Sequence, residues 1–361
     1  MTDQNTNNND NIITDSGNLT LSIIVPVYNM EADDKLTFCL DSLIAQNLDD
    51  YEIIAVDDAS TDGSFQIMKS YQEKYPDVFK AIHSEVNRHQ GGAKNIGIRQ
   101  ARGEWIGFID ADDWISPDMY KKMISVAKQT GADIVGCDYV MVDKHTFEAD
   151  GTVEANSKDD QTGVLDREKK CSLILDSGSL CVKIFKRQTI IDKDLWFPED
   201  IFYEDNAMSS GYMLSADRFE YIKEPLYYYY QHDTSTVHSF SERRCEDRMV
   251  SGRIMLDEAK RLGFYEEFLP EIEYKFTQLF YINTLFTYMP CVKPARIAFV
   301  KKLSEEMREH FPEFQKNEYY LKRVNDEERR LIAMAQRSTL RFYVYYRLLW
   351  GYRNLRKRLG I

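Results

Sequence analysis

The chain has 361 residues, a net charge of −13, and hydrophobic and charged contents of 43% and 29%. This length allows one large core or two smaller ones, and we expect an α/β domain with an appended region. The acidic balance argues against a nucleic-acid partner, which normally requires a basic patch, and no run of about 18 apolar residues is available to span a membrane.

The N-terminal residues 1–19 are rich in Asn and Asp, which predicts a disordered polar tail. They lack the apolar core of a signal peptide. The six cysteines show no metal-ligand spacing, so we expect free thiols in a reducing cytoplasm.

From residue 21 onward, predicted strands and helices alternate. Residues 21–29 begin with an apolar run typical of a buried strand, and leucines recur on one face of a predicted helix over 34–46. A second strand over 51–56 is followed by a helix that ends near Tyr75. This alternation predicts right-handed crossovers and a mostly parallel sheet flanked by helices.

Acidic residues stand at the ends of the predicted strands. Asp57 and Asp58 end the second strand, and a later strand stops at Asp110, Asp112 and Asp113. Carboxylates this close repel one another unless a cation neutralises them, which suggests a divalent metal and a phosphate-bearing ligand. Aspartates also form ordinary turns at strand ends, and spacing alone does not separate these interpretations. Ligands of parallel sheets bind beyond the carboxyl ends of the strands, so we expect both clusters at one edge.

The remaining stretches carry weaker signals. Gly91 and Gly92 are expected to open a helix whose N-terminus could approach an anion, although a plain helix start is the simpler interpretation. The polar segment 141–163 is predicted as a mobile insertion or a hairpin. An almost wholly helical pattern begins near residue 241, which predicts a first domain over 20–238 and a helical region over 239–361.

Several motifs, taken together, resemble a known family. In order and spacing they are similar to the family 2 inverting glycosyltransferases of GT-A fold, over about residues 21–235. The motifs are residues 25–29, 56–62, 92–97 and 108–114 and the pair Glu204–Asp205. The resemblance implies a Rossmann-like GT-A sheet, a nucleoside-diphosphate-sugar donor, Mn²⁺ or Mg²⁺, and transfer of one sugar to an acceptor hydroxyl with inversion.

The resemblance also implies roles for the acidic residues. The metal would be held by Asp110, Asp112 or Asp113 and would stabilise charge on the leaving diphosphate, and Asp112 is also a candidate contact of the nucleotide. An acceptor hydroxyl needs a base on the opposite side of the sugar. Asp205 takes that role by resemblance, with Glu204 as the second choice.

The nucleotide pocket is expected near the first two strands. Asp58 is predicted to accept a hydrogen bond from the uracil N–H, with Asp57 in the same pocket. Pro26 and Tyr28 are expected to pack near the ring, or merely to pack the loop. Lys94 stands where the family usually has Arg, and it could meet the base or the diphosphate as a point charge.

Two further residues, His232 and Lys183, each have two interpretations. His232, after the tyrosine-rich strand, is either a further metal ligand or phosphate donor, or a polar rim residue. Lys183 either faces the donor or is a solvated strand lysine.

The C-terminal segment 336–361 is basic and aromatic, with seven arginines and lysines and no acid. This composition suggests contact with an anionic membrane that carries a lipid-linked acceptor. Placed on a helix, however, the basic residues fall all round it, so docking on an acidic protein surface or in a homodimer competes equally. The Gln-x-x-Arg-Trp motif and spanning helices of processive synthases are missing, which favours single-sugar transfer.

Three classes of function remain for this chain. The first is a metal-dependent sugar transferase for cell-surface polysaccharide or glycolipid, in the cytoplasm or at the inner face of the membrane. An aspartate-nucleophile phosphatase would need its aspartates on the first strand, whereas this cluster follows a later one. A non-catalytic sugar-nucleotide binder or scaffold is the alternative, and the presence of both Asp112 and Asp205 argues against it.

Overall fold

The computed structural model describes residue 12 and residues 19–148, 151–231 and 240–359, with side chains up to residue 356. The chain divides into two compact units, Met1–Asp233 and Thr234–Ile361. The predicted tail lies almost entirely outside the described residues. The domain boundary predicted after residue 238 also falls outside them, and it stays a prediction.

The first unit is built on one mixed sheet. Its elements are β1 (Leu21–Val27), α1 (Lys35–Ile44), β2 (Tyr51–Asp58), α2 (Ser64–Lys74), β3 (Phe79–Ser84), α3 (His89–Gln100), β4 (Trp105–Phe108), β5 (Trp114–Ile115), α4 (Met119–Thr130), β6 (Ile134–Val142), β7 (Thr152–Glu154), β8 (Gly163–Val164), α5 (Arg167–Leu175), β9 (Lys183–Lys186), α6 (Arg187–Asp192), α7 (Glu204–Leu214) and β10 (Arg218–Tyr230). The main strand order is β3-β2-β1-β4-β9-β6-β10-β5, with β7 paired to β6 and β8 to β10.

The central strands run in parallel. β1 pairs in parallel with both β2 and β4, β2 with β3, and β6 with β10. β9 is antiparallel to both of its neighbours, β4 and β6. Every residue of β1 and β2 is buried, as expected for strands covered on both faces. The predicted mostly parallel α/β sheet flanked by helices is confirmed.

Two local predictions gain detail. Helix α3 begins at His89, so Gly91 and Gly92 lie in its first turn rather than before it. Of the two alternatives for the polar segment after β6, the structure shows the hairpin. β7 pairs antiparallel with β6, and Val140 lies opposite Val153.

The second unit is helical, as predicted. Its elements are α8 (Glu242–Arg261), α9 (Leu269–Phe276), a π-helical segment (Thr277–Ile282), α10 (Asn283–Cys291), α11 (Ile297–His310), α12 (Glu318–Arg323), α13 (Asp326–Arg337) and α14 (Thr339–Leu359). Aromatic side chains fill its core, including the stacked rings of Phe276 and Phe280, 4.7 Å apart. No helix in the described part of the chain combines the length and the apolar character needed to cross a bilayer.

Candidate functional site

The loops that follow β1 and β2 are joined by side-chain hydrogen bonds. The backbone N–H of Asn29 donates to Ser60 Oγ at 2.9 Å, and Asn29 Oδ1 accepts from the N–H of Thr61 at 2.8 Å. Met30 N–H donates to Ser64 Oγ at 2.7 Å. These bonds fix the carboxyl edge of the sheet and leave Tyr28 46% exposed there.

Backbone strain is concentrated in the same region. Asn29 (φ 52°), Ala59 (φ 58°), His89 (φ 59°) and Tyr203 (φ 67°) all lie in the left-handed region. They follow β1, follow β2, begin α3 and precede α7, respectively. Left-handed backbone is unfavourable for residues with a Cβ and often accumulates at functional sites.

The aspartate pair at the end of β2 is buried. Asp57 Oδ2 lies 2.7 Å from His83 Nδ1, whereas its Oδ1 has no hydrogen-bond partner among the described residues. Asp58 Oδ1 accepts from the backbone N–H of Arg88 at 2.8 Å. Burial raises the pKa of Asp58, and the hydrogen bond from Arg88 opposes this shift. Pro26, the penultimate residue of β1, is also buried.

Asp110, at the end of β4, presents an oxygen without a protein partner. Its Oδ1 is buried and makes no hydrogen bond with the described residues, while Oδ2 lies 3.6 Å from Cys181 Sγ. Burial raises the pKa of Asp110 to about 6; Lys94 opposes the rise and Asp112 adds to it. Asp112, two residues on, is partly exposed. Asp110 therefore offers an oxygen without a partner among the described residues at the edge of the sheet.

Asp113 has different partners from those two. Its Oδ2 accepts from the Tyr227 hydroxyl at 2.5 Å and its Oδ1 from the backbone N–H of Tyr230 at 2.9 Å. Burial, followed by the charge of Asp112, raises the pKa of Asp113 well above its usual range. Asp113 thus fastens β10 to the aspartate turn, and both of its oxygens are already in use.

The predicted three-aspartate metal centre is not assembled by protein side chains alone. Within the described part of the chain, no group of three or more His, Cys, Asp or Glu side chains is placed to hold a metal ion. His232, the other predicted ligand, lies outside the described residues. A metal bound at Asp110 would therefore need oxygens from its ligand or from water.

Helix α7 brings the second pair of acids to the same place. Glu204 Oε1 accepts from Lys94 Nζ at 2.8 Å, and both side chains are buried. Burial works against the Lys94 ammonium, yet the charges around it, Glu204 first and Asp110 and Asp205 among them, raise its pKa. Lys94 therefore stands as the shared counter-charge of the two acidic groups, instead of pointing freely at a base or diphosphate.

Asp205 lies beside this ion pair and is partly exposed. Burial, then the charge of Glu204, raises its pKa above the usual aspartate value, and Lys94 opposes the shift. A carboxylate with a raised pKa is a better proton acceptor near neutral pH. Of the two predicted bases, Asp205 thus has the more suitable environment, because Glu204 is engaged by Lys94.

The loop that leads into α7 is held by α3. Asn95 Nδ2 donates to the carbonyl of Phe197 at 2.8 Å, and Asn95 Oδ1 accepts from its N–H at 2.9 Å. Arg88 pairs with Glu199 at 2.9 Å. A Cβ at Gly91 would overlap with the carbonyl oxygen of Pro198. The first two turns of α3 therefore determine where α7 places its acids.

Lys183 corrects one of the sequence interpretations. It is fully buried in β9, and its Nζ donates to the carbonyl of Ser179 at 2.7 Å, so it is not a solvated strand lysine. Burial lowers its pKa to about 7.

Sequence patterns did not identify several residues that support the site. Asn95 stood inside a recognised motif but received no role, whereas His83, Glu199 and Tyr227 are polar residues without any local pattern. Each acts through a partner at least 26 residues away in the chain. Such pairs become visible only once the chain is folded.

Comparison with known proteins now assigns the family. The model of the family Glycosyl transferase family 2 matches residues 22–180. The protein named "Putative glycosyltransferase EpsH" of Bacillus subtilis (strain 168) is 33% identical to this chain over 256 residues. The match covers 68% of this chain and 72% of EpsH. The chain therefore belongs to glycosyl transferase family 2, and the resemblance carried by its motifs is confirmed.

Two further similarities cover part of a relative or the fold alone. The uncharacterized glycosyltransferase YibD of Escherichia coli (strain K12) is 32% identical over 219 residues, and the match covers 60% of this chain and 62% of YibD. Residues 1–349 of Staphylococcus aureus TarS, crystallised with UDP-GlcNAc, superpose with a TM-score of 0.63 at 22% identity, covering 95% of this chain and 92% of that one. This similarity confirms the GT-A fold.

Proposed function

We propose that the protein is a metal-dependent inverting glycosyltransferase that moves one sugar from a UDP-sugar to an acceptor hydroxyl. The observation that carries the proposal is the arrangement around Lys94, which has Asp110 and the acids of α7 as its charged neighbours. The acidic group that follows β4 suits a divalent metal that would neutralise the departing diphosphate, and Asp205 of α7 suits the proton of the attacking hydroxyl. A role in cell-surface polysaccharide or glycolipid synthesis is part of the proposal.

The nucleotide would bind over the ends of β1 and β2. Tyr28 is exposed at that edge and suits one face of a uracil ring, whereas Pro26, two residues before it, is buried. Asp58 would accept the base N–H through the capacity that Arg88 leaves unused, with Asp57 beneath it. The UDP-GlcNAc complex of the structurally similar TarS supports a uridine donor.

Asp110 and Asp112 would hold Mn²⁺ or Mg²⁺. The buried, partnerless Oδ1 of Asp110 fits such an ion, since both cations prefer carboxylate and other oxygen ligands. Bound there, the metal would stabilise negative charge on the leaving diphosphate as a Lewis acid. Asp113 would position these two residues by anchoring the turn to β10.

Asp205 would take the proton of the acceptor hydroxyl as that oxygen attacks the anomeric carbon. Attack from the side opposite the diphosphate inverts the configuration at this carbon. Glu204 is engaged by Lys94, whereas Asp205 is partly exposed and so is the carboxylate of the pair with access to the acceptor.

Two substitutions separate these roles. Asp205→Asn should lower transfer by at least about 100-fold, because it removes the base, while UDP binding stays unchanged. Asp112→Asn should weaken Mn²⁺-dependent UDP binding by at least about tenfold. Loss of a residue that only orients a metal ligand already costs about that much, and loss of a ligand itself should cost more. Calorimetry with UDP and Mn²⁺, together with a hydrolysis screen of UDP-sugars with and without Mn²⁺, measures both effects.

Asp77→Asn is the matched control, because Asp77 is exposed after α2 and belongs to neither acidic group. It should leave binding and turnover unaltered. Equal loss of UDP binding in Asp205→Asn and Asp112→Asn would contradict the division of roles, and UDP binding without turnover of any donor would favour a non-catalytic binder.

The reaction would take place in the cytoplasm, with a sugar or a lipid-linked molecule as the acceptor. All six cysteines are free thiols, and five of them are buried, which suits a reducing compartment. Contact of residues 336–361 with the inner face of the membrane would bring the enzyme to a lipid-linked acceptor. A homodimer stays a prediction.

A further inference from the structure

One face of α14 is apolar and exposed. Its outward side chains are between 47% and 70% exposed, with Leu348 the most exposed. They are Leu340, Val344, Tyr345, Leu348, Tyr352 and Leu355. At 3.6 residues per turn they fall within an arc of about 140°. We call this arc the apolar stripe, and it extends over most of the 21 residues of the helix.

The other face of α14 is packed within the second unit. Phe342 and Tyr346 are buried, and the ring of Tyr346 lies 6.4 Å from that of Phe286. The Tyr343 hydroxyl donates to the carbonyl of Ala295 at 2.6 Å. The rotation of the helix about its axis is therefore fixed, and the apolar stripe cannot turn into this core.

Arginines border the apolar stripe. On the same helical projection, Arg347 and Arg356 flank its two edges at about 20° from the nearest stripe residue, and Arg341 lies inside it near the first turn. All three are exposed, and none of them makes an ion pair with another described residue. Arg353, by contrast, lies on the inner side and pairs with Glu327 at 2.5 Å. Residues 336–361 contain no acid, although the whole chain carries −13.

We infer that α14 lies in the surface of an anionic lipid bilayer, with the apolar stripe at the acyl boundary and the bordering arginines on lipid phosphates. An apolar face between cationic edges is the pattern of helices that bind in the plane of a membrane interface. Tyr345 and Tyr352 lie at one edge of the stripe, where their rings reach the headgroup level. The purpose of this docking, access to a lipid-linked acceptor, rests on the proposed function.

A second copy of the chain fits the stripe less well. In a symmetric pair of α14 helices the same patch meets itself, so the arginine borders of the two copies would approach each other. Like charges facing across an interface oppose association. Anionic lipid satisfies both the apolar and the cationic parts of the surface at once.

Vesicle co-sedimentation of the full chain tests the inference. Vesicles of phosphatidylcholine with 30% phosphatidylglycerol should bind the protein, and pure phosphatidylcholine should bind it much less. Arg347→Gln with Arg356→Gln should weaken binding by about fivefold for each arginine at low salt. The triple substitution Val344→Gln, Leu348→Gln and Leu355→Gln should weaken it by more than about tenfold, since three exposed apolar contacts are lost.

The matched control replaces three exposed apolar residues elsewhere: Val153→Gln, Val164→Gln and Leu321→Gln. It should bind vesicles like the unaltered chain. Failure of the unaltered chain to bind the anionic vesicles, or equal losses in the control and stripe variants, would overturn the inference. A dimer in sedimentation velocity that only the stripe variant abolishes, without vesicle binding, would assign the stripe to a second copy. UDP calorimetry on the same proteins keeps a failure of membrane docking distinct from a failure of the proposed function.

Discussion

At the scale of single residues, two buried lysines of the first unit have opposite environments. Lys94 is surrounded by carboxylates, which keep it charged and hold two acidic groups together. Among the described residues, Lys183 has the carbonyl of Ser179 as its one hydrogen-bond acceptor, and burial lowers its pKa to about 7. The first lysine is part of the site, whereas the second costs the fold stability whenever it must be protonated.

Lys183→Met should therefore stabilise the protein at neutral pH. The pKa of Lys183 in the unfolded chain is about 10.4, so between about pH 7 and pH 10 the unfolded state binds more protons than the native state. Native stability accordingly rises with pH across this window, and the penalty is largest below about pH 7. We expect a gain of about 2–4 kcal/mol in the free energy of unfolding at pH 7, after allowing for the lost hydrogen bond.

Chemical denaturation of the two proteins at about pH 7 and pH 9.5 measures this effect. The gain should shrink at the higher pH, since native Lys183 is already neutral there and the cost of releasing its proton falls as the pH approaches the unfolded-state pKa of about 10.4. Lys121→Met, on the exposed side of α4, is the control and should show no such pH dependence. A gain that is equal at both pH values would mean that packing, rather than titration, is responsible.

At the scale of elements, α3 serves as a template for α7. Asn95 binds the loop before α7 through both its amide oxygen and its amide nitrogen, and Lys94 binds Glu204 itself. Gly91 permits the close approach of the Pro198 carbonyl. Contact between α3 and this loop thus explains Gly91, whereas a Cβ at Gly92 would overlap with the side chain of Arg88.

Gly91→Ala should displace the loop and α7 with it. We expect a loss of about 1–3 kcal/mol in the free energy of unfolding through overpacking. A shift of the acids by about 1 Å should lower transfer by about 100-fold, with a smaller effect on UDP binding. Gly351→Ala, at an exposed position of α14 with no neighbour within 4 Å, is the matched control in an assay without lipid. Normal turnover in Gly91→Ala would show that the loop does not position Asp205.

At the scale of the whole molecule, each described residue proposed for donor binding or catalysis belongs to the unit Met1–Asp233. Domains with their own core commonly fold alone. We therefore expect a fragment of residues 1–233 to bind UDP and Mn²⁺ within about threefold of the full chain, as measured by calorimetry. Loss of UDP binding by a fragment with native circular dichroism would show that the second unit contributes to the donor site.

Local pattern accounts for much of what was predicted. The apolar runs and their spacing determined β1, β2 and the helices between them, because buried parallel strands and amphipathic helices leave strong periodic signals. The same pattern placed Asp57, Asp58 and Asp110 at one sheet edge. The motifs then supplied the family, which their order and spacing carry far better than any single residue does.

Tertiary structure decided the assignment of individual side chains. Asp112 and Asp113 are adjacent and identical in sequence, and it is Asp113 that accepts hydrogen bonds from Tyr227 and Tyr230, more than one hundred residues away. Burial, which sets the pKa of Asp205 and Lys183, and the outward rotation of α14 likewise depend on packing. Short-range periodicity in the sequence defines the sheet and its acidic edge, and the order and spacing of the motifs define the family. Long-range contacts decide which carboxylate anchors β10, which one keeps an oxygen without a partner among the described residues and which one has a raised pKa beside an ion pair, and these contacts exist only in the folded chain.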